Sequence, residues 1–186
     1  MSANRASRVT TVLFDYGHTL MDFTRPEELL LEAYRRINQR LEQELEADVP
    51  TAAELLVAVS QRVDDEIGRS YRGGAEQEVD IASLYEEALS ALGMHLAPDT
   101  LTWVVQHEQE AWLQGIAASP HAIPLLEELK GRGLRLGIVS NAAFPAQSMR
   151  AQLESLDLAR YFDATVYSSE VGVRKPRAGF FEHCQR

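Results

Sequence analysis

The chain is poor in cysteine, in lysine and in long apolar runs, and each scarcity removes a class of protein. Cys184 is its single cysteine, so it carries neither an internal disulfide framework nor a Cys-x-x-Cys metal cluster, which points to a reducing, cytoplasmic setting. No run approaches the length of a membrane-spanning helix, and the opening MSANRASRVTTVLFD lacks the apolar stretch of a signal peptide. A soluble protein without a membrane partner is expected. Positive charge is also scarce: 18 Lys and Arg stand against 28 Asp and Glu, for a net charge of -10. The arginines alternate with acidic residues in helical stretches and read as solvated faces. Without a basic cluster, nucleic acid is not an expected partner.

What is present is the composition of a globular protein. With 45% hydrophobic and 25% charged residues, the chain can bury a core, and its 186 residues suit one domain with a large insertion or two small ones. Residues 8–14, RVTTVLF, form a β-branched and apolar run that stops at Asp15 and Gly17, as a buried strand entering a loop does. From Arg25 to about Gly115 the period becomes helical. Leu29, Ala33, Ile37, Leu41 and Leu45 step by four, and a second helix is expected to start at a Thr51 cap and bury Leu55, Leu56, Val59 and Val63. Ile81, Leu84, Tyr85, Ala88, Leu89 and Leu92 share a third face, and Leu101, Val105 and Trp112 a fourth after Pro98.

After Ser119-Pro120 the rhythm changes to helix, strand, helix, strand, helix. Leu126 and Leu129 lie on a helix closed by Gly131 and Gly133, followed by the strand LRLGIVS. A helix opening at Pro145 places Met149, Leu153 and Leu156 on one face, before a strand DATVYS and a helix from about Pro176. Such alternation predicts an α/β fold with a parallel sheet, interrupted by a helical block. Ligands of open parallel sheets bind beyond the carboxyl ends of the strands. Asp15, Ser140-Asn141 and the SSEVGVRKP loop occupy those positions. A carboxylate there can attack a phosphorus or carbon centre and form an aspartyl intermediate. Trp103, Trp112, His107 and Tyr71 lie in the helical block, where aromatic residues at helical spacing read first as packing.

In order, VLFDYGHTLMD, LGIVSN and SSEVGVRKPRAGFF resemble the first three motifs of the haloacid dehalogenase (HAD) superfamily, and the helical block between the first two resembles its inserted cap. The resemblance covers nearly the whole chain. It implies a Rossmann-like parallel-sheet core from residues 1–21 and 116–186, an all-helical cap at 22–115, and hydrolysis of a small phosphate ester through an aspartyl-phosphate intermediate. By the same resemblance Asp15 is the nucleophile. Ser140, Asn141 and Thr19 bind phosphoryl oxygens, and Lys175 neutralises both Asp15 and the phosphoryl group. Mg²⁺ is the implied cofactor, with Asp15 and the Gly17 carbonyl as its protein ligands.

Two departures from the family pattern shape the expectation. The commoner first motif has a second Asp two residues after the nucleophile as general acid and base; Gly17 stands there, followed by His18. His18 is the candidate substitute, because histidine titrates near neutrality. The family's fourth motif, an acidic pair for Mg²⁺, normally follows a further strand, and the sequence reaches Arg186 without it. The core and metal site are therefore expected to be incomplete at the carboxyl end and activity weak, with the first strand an apolar edge open to self-association. Two alternatives stay open. In a 2-haloacid dehalogenase, Asp15 would attack carbon without Mg²⁺ and Arg35, Arg36 or Arg40 would bind the substrate carboxylate, although Tyr16 stands one place early for that branch. The other is a non-catalytic binding protein of the same fold.

Overall fold

The computed structural model describes residues 9–45 and 48–184. Arg8, the first residue of the expected opening strand, lies outside them, as do Glu46, Ala47, Gln185 and Arg186. In chain order, β1 (Thr11–Phe14) leads through a tight loop to β2 (Met21–Phe23), and the chain then enters a helical layer. That layer comprises α1 (Glu27–Glu44), α2 (Ala52–Leu55), α3 (Arg62–Arg72), α4 (Ile81–Ser90) and α5 (Pro98–Trp112). β3 (Ile116–Ala118) brings the chain back, and α6 (Ala122–Gly131), β4 (Arg135–Ser140), α7 (Ala146–Ser155), β5 (Ala164–Tyr167), α8 (Ser168–Val171) and α9 (Ala178–His183) complete the α/β layer. No helix among the described residues is long and apolar enough to cross a membrane.

The sheet is parallel with the order β1-β4-β5. β4 is buried from Leu136 to Ser140, as a strand covered on both faces should be. β1 is an edge strand among the described residues; Leu13 is 50% exposed on it, and Val9, just before it, 67%. The two chain crossings between layers pair with each other: β2 and β3 form an antiparallel ribbon, Met21 opposite Ala118 and Phe23 opposite Ile116. Its tip needs Gly115, because a Cβ there would collide with the Thr24 carbonyl oxygen.

Each layer has its own core. Leu126, Leu136, Ile138, Leu153 and Tyr167 pack in the α/β layer; Ile37, Leu41, Leu55, Val59, Tyr85 and Val104 pack in the helical one. Phe144 touches both clusters at the seam. Thr51 caps α2 by accepting from the Glu54 amide, as the sequence predicts, and the Glu54 carboxylate also accepts from the Thr51 amide at 2.9 Å.

Helix faces differ in detail from their sequence reading. The buried face of α1 is Leu30, Ala33, Tyr34, Ile37 and Leu41, without Leu29 or Leu45. A strict step of four advances past a 3.6-residue turn and walks off the face, and Leu45 already has extended backbone beyond the helix end. Between α2 and α3 the winding widens to a π-helix at Leu56–Gln61, which leaves Leu56 half-buried and turns Ser60 inward. α5 buries Glu108 and Gln109 as well as Val104 and Val105, while Leu101 and Trp112 are only half-buried.

Candidate active site

Three segments meet at the carboxyl ends of β1 and β4. Lys175 Nζ lies 3.0 Å from Asp15 Oδ1 and donates to the Val139 carbonyl at 2.6 Å. Its backbone is fixed as well: Lys175 N–H donates to Asn141 Oδ1 at 2.7 Å, and Asn141 Nδ2 donates to the Lys175 carbonyl at 3.3 Å. Asp15 Oδ1 also accepts from the Tyr16 N–H at 2.8 Å. Ser140 is buried, and among the described residues its hydroxyl makes only a long 3.4 Å bond to the Asn141 carbonyl. Asp15, Ser140, Asn141 and Lys175 are thus brought together.

His18 and Thr19 are not part of that contact set. Both are exposed in the loop between β1 and β2. His18 adopts a left-handed backbone (φ 56), its Nδ1 sits 3.3 Å from Asp22 Oδ1, and its ring lies against Phe23 with centroids 4.6 Å apart. The Tyr16 carbonyl closes this loop by accepting from the amides of Thr19, Leu20 and Met21. Among the described residues, no three His, Cys, Asp or Glu side chains converge to hold a metal. Asp15 and the Gly17 carbonyl are hard oxygen donors that could serve an ion which keeps most of its waters and takes substrate oxygens, a mode that suits magnesium.

A cavity of about 430 Å³ lies between the layers, with Ser140 to Phe144 on one side and Asp64, Ile67, Tyr71, Gln109 and Trp112 on the other. Its size falls in the range of small-molecule sites. Four residues that line it carry a buried polar atom with no partner among the described residues: Tyr16 Oη, Gln109 Nε2, Trp112 Nε1 and Gln152 Oε1. Buried polar groups are normally paired, so these orphans are unsatisfied positions in the cavity wall that a turn of the side chain would present to a polar ligand. Burial holds the Tyr16 hydroxyl well above the usual tyrosine pKa, with Tyr167 adding to the effect.

One cavity-lining carboxylate is backed by a polar network that the sequence reading did not find. Asp64 pairs with Arg25, whose Nη2 donates to Ser60 Oγ at 2.9 Å; Ser60 donates onward to Glu108 at 2.7 Å, and Tyr34 donates to the same carboxylate at 2.6 Å. Burial pushes the Asp64 carboxyl up to about 6 against the opposing pull of Arg25, and the Glu108 charge adds to the rise. The polar residues on otherwise apolar faces, Ser60 and Glu108, were the available signal. Trp112 and Tyr71 line the cavity, whereas Trp103 stacks on His107 with Arg40 over its ring.

A model of the haloacid dehalogenase-like hydrolase family matches residues 9–186. The pyrimidine 5′-nucleotidase YjjG of Escherichia coli (strain K12) is 39% identical over 64 residues, which make up 34% of this chain and 27% of that protein. The matched stretch therefore spans little more than a quarter of that relative. YfnB of Bacillus subtilis, described as a HAD-hydrolase bound to magnesium, is 19% identical with a TM-score of 0.53, covering 95% of this chain and 71% of that one. A Thermotoga maritima protein described as a β-phosphoglucomutase is 21% identical with a TM-score of 0.53, covering 93% and 68%. At these identities the two structures speak for the fold alone.

Proposed function

The chain belongs to the haloacid dehalogenase-like hydrolases, and from that premise we propose that it hydrolyses a small phosphorylated metabolite with Asp15 as the nucleophile. The observation that carries the proposal is the 3.0 Å pairing of Lys175 Nζ with Asp15 Oδ1 at the sheet's carboxyl edge. An Asp15 oxygen forms a bond to phosphorus as the ester oxygen departs with the bonding pair and takes a proton from water. A second water then attacks the aspartyl phosphate, releasing inorganic phosphate and restoring the carboxylate. The Lys175 ammonium offsets the repulsion between carboxylate and phosphoryl group, and the Ser140 hydroxyl and backbone N–H groups near Asn141 donate to phosphoryl oxygens. Magnesium bound by Asp15, the Gly17 carbonyl, water and phosphate oxygens would neutralise further phosphoryl charge.

The leaving group occupies the cavity, where Gln109 and Gln152 read its polar edge. Nucleoside 5′-monophosphates head the substrate panel because the curated relative is named as a pyrimidine 5′-nucleotidase. A cytoplasmic location, with self-association through the β1 edge at Val9 and Leu13, completes the reading. Among the described residues no acid is positioned for the leaving oxygen, so the expected rate is modest; such an acid contributes about 10²–10⁴-fold.

The test is phosphate release from a panel of phosphate monoesters, with and without Mg²⁺, by wild type and Asp15→Asn. The expected result is release by wild type and loss in the variant of at least about a thousandfold. Chloride release from 2-chloropropionate without metal would replace this reading by the dehalogenase, and silence in both assays would leave a binding protein. Calorimetry with Mg²⁺ on the same two proteins reads the metal separately, with weaker binding expected for Asp15→Asn. Gln109→Leu should raise KM for the best ester by about tenfold while stabilising the free protein, since it removes an unpaired buried amide.

A further inference from the structure

The segment between the Gly73-Gly74 turn and α4 docks on the loop that ends at Lys175. Gln77 bridges antiparallel to Val173, Glu78 N–H donates to the Gly172 carbonyl at 3.0 Å, and Arg174 N–H donates to the Glu76 carbonyl at 2.8 Å. Beneath this backbone pairing, Glu78 and Arg174 form an ion pair whose side chains are 2% and 3% exposed. Arg174 Nε donates to Glu78 Oε1 at 2.9 Å, its Nη1 donates to Ser70 Oγ at 3.0 Å, and its guanidinium lies 3.8 Å from the Tyr71 ring centre. The other Glu78 oxygen accepts from Tyr71 Oη at 3.2 Å and from Ser168 Oγ. Ser168 Oγ in turn accepts from the Ala142 N–H at 2.8 Å.

The contacts therefore converge. A single carboxylate from the helical layer reaches Arg174, which precedes Lys175, and through Ser168 reaches Ala142, which follows Asn141. Asn141 and Lys175 are then tied to each other by the two bonds described above. The geometry points to Glu78 as a positioning residue: seating of the helical layer on the α/β layer through Glu78 holds the Asn141 and Lys175 loops in register for reaction at Asp15. Glu78 touches no reacting atom; it acts through Arg174 and Ser168. A buried charge pair suits the task because it is satisfied in one docked arrangement and leaves an unpaired buried charge in any other.

Amide hydrogen exchange, resolved residue by residue on the 186-residue chain, tests this without recourse to catalysis. In Glu78→Gln, the amides of Ala142, Arg174 and Lys175 should exchange faster by about tenfold or more, with β4 keeping its protection. Glu76→Gln, which removes only an exposed partner of Arg177, should leave Ala142 and Lys175 unchanged. Unaltered exchange at all three amides in a folded Glu78→Gln protein overturns the inference. If that variant loses protection uniformly, Ser168→Ala decides: because Ser168 Oγ is itself the acceptor of the Ala142 N–H, faster exchange that reaches the Lys175 amide supports the latch, and a change confined to Ala142, or none, overturns it. A kinetic arm rests on the proposed phosphate-ester hydrolysis: kcat should fall by about a hundredfold in Glu78→Gln with KM within about threefold. Absence of turnover in wild type would refute that hydrolysis and leave the exchange result standing.

Discussion

Arg174 and Lys175 are consecutive, and each pairs with a carboxylate from a distant segment. Arg174 and Glu78 are 3% and 2% exposed; Lys175 and Asp15 are 19% and 50% exposed. The arginine's planar fork fills a closed socket of carboxylate, hydroxyl and aromatic face, every part of which comes from the protein. The lysine, a point charge with three donors, meets one carboxylate oxygen and one carbonyl at the carboxyl ends of β1 and β4, beside the cavity-lining Asn141, and can turn toward an incoming anion. The same loop thus carries a sealed pair that fixes geometry beside an open pair suited to chemistry. Two further pairs extend the series: Arg25–Asp64 at 25% and 30% exposure, and His18–Asp22 at 67% and 68%. If access to water sets what each pair does, stability should fall steeply on breaking the first and hardly at all on breaking the last.

Adjacent substitutions give the strongest contrast. Arg174→Met strands a buried carboxylate and should lower unfolding free energy by about 3–5 kcal/mol. Lys175→Met should change stability by less than about 1 kcal/mol, because the Asp15 carboxylate it leaves behind is half-exposed to water, yet abolish phosphate release. Urea unfolding and phosphate assays on both variants check the pair. Equal stability losses would break the comparison.

The open pair was legible in the sequence and the sealed one was not. Asp15, Ser140-Asn141 and Lys175 each follow a local pattern, an apolar strand ending in a polar loop, and parallel pairing of β1 with β4 brings such ends to one rim. Arg174, in contrast, read as one more solvated arginine. Its partner lies 96 residues away in a segment with no strand signal, and burial of a charge is a property of the assembled layers. β2 and β3 were missed for a related reason: three residues each carry too little alternation to register as strands. Gln109 lies on the helix whose Leu101, Val105 and Trp112 read as a packing face, and its place in the cavity wall emerges only in the assembled layers.

Arg25–Asp64, between the extremes, should show its character in pH dependence. The folded protein holds the Asp64 proton up to about pH 6, well above the ordinary carboxyl range, so the unfolded chain is the more ionised over that interval. Stability contributed by this group is present at low pH and lost as pH rises through about 6. Glu78 has the opposite sign: burial alone would raise its carboxyl, but bonds from Arg174, Ser168 and the Val79 amide outweigh that and hold it below its usual value. Asp64→Asn leaves Glu78 in place, so the wild-type minus variant difference isolates Asp64. Urea titrations should show that difference falling by on the order of 1–2 kcal/mol between about pH 4 and 7. A flat difference would assign Asp64 to the exposed end of the series.

His18–Asp22 is the smallest expected effect and bears directly on the chemistry. His18 has φ 56, a backbone region that asparagine enters more readily than alanine does. His18→Asn therefore removes the imidazole while preserving the loop closed by the His18 N–H bond to the Met21 carbonyl at 2.7 Å. With its ring against Phe23 and its Nδ1 on Asp22, His18 is spent on the loop rather than on Asp15. Stability within about 0.5 kcal/mol of wild type, and kcat/KM within about twofold from pH 5 to 8, are expected. A drop of about tenfold or more, with loss of a rate-limiting ionisation in the pH profile, would make His18 the missing acid and base. In that event the β1–β2 loop must turn the ring from Asp22 toward the leaving oxygen during turnover, and exposure would mark a side chain in waiting rather than one without a task.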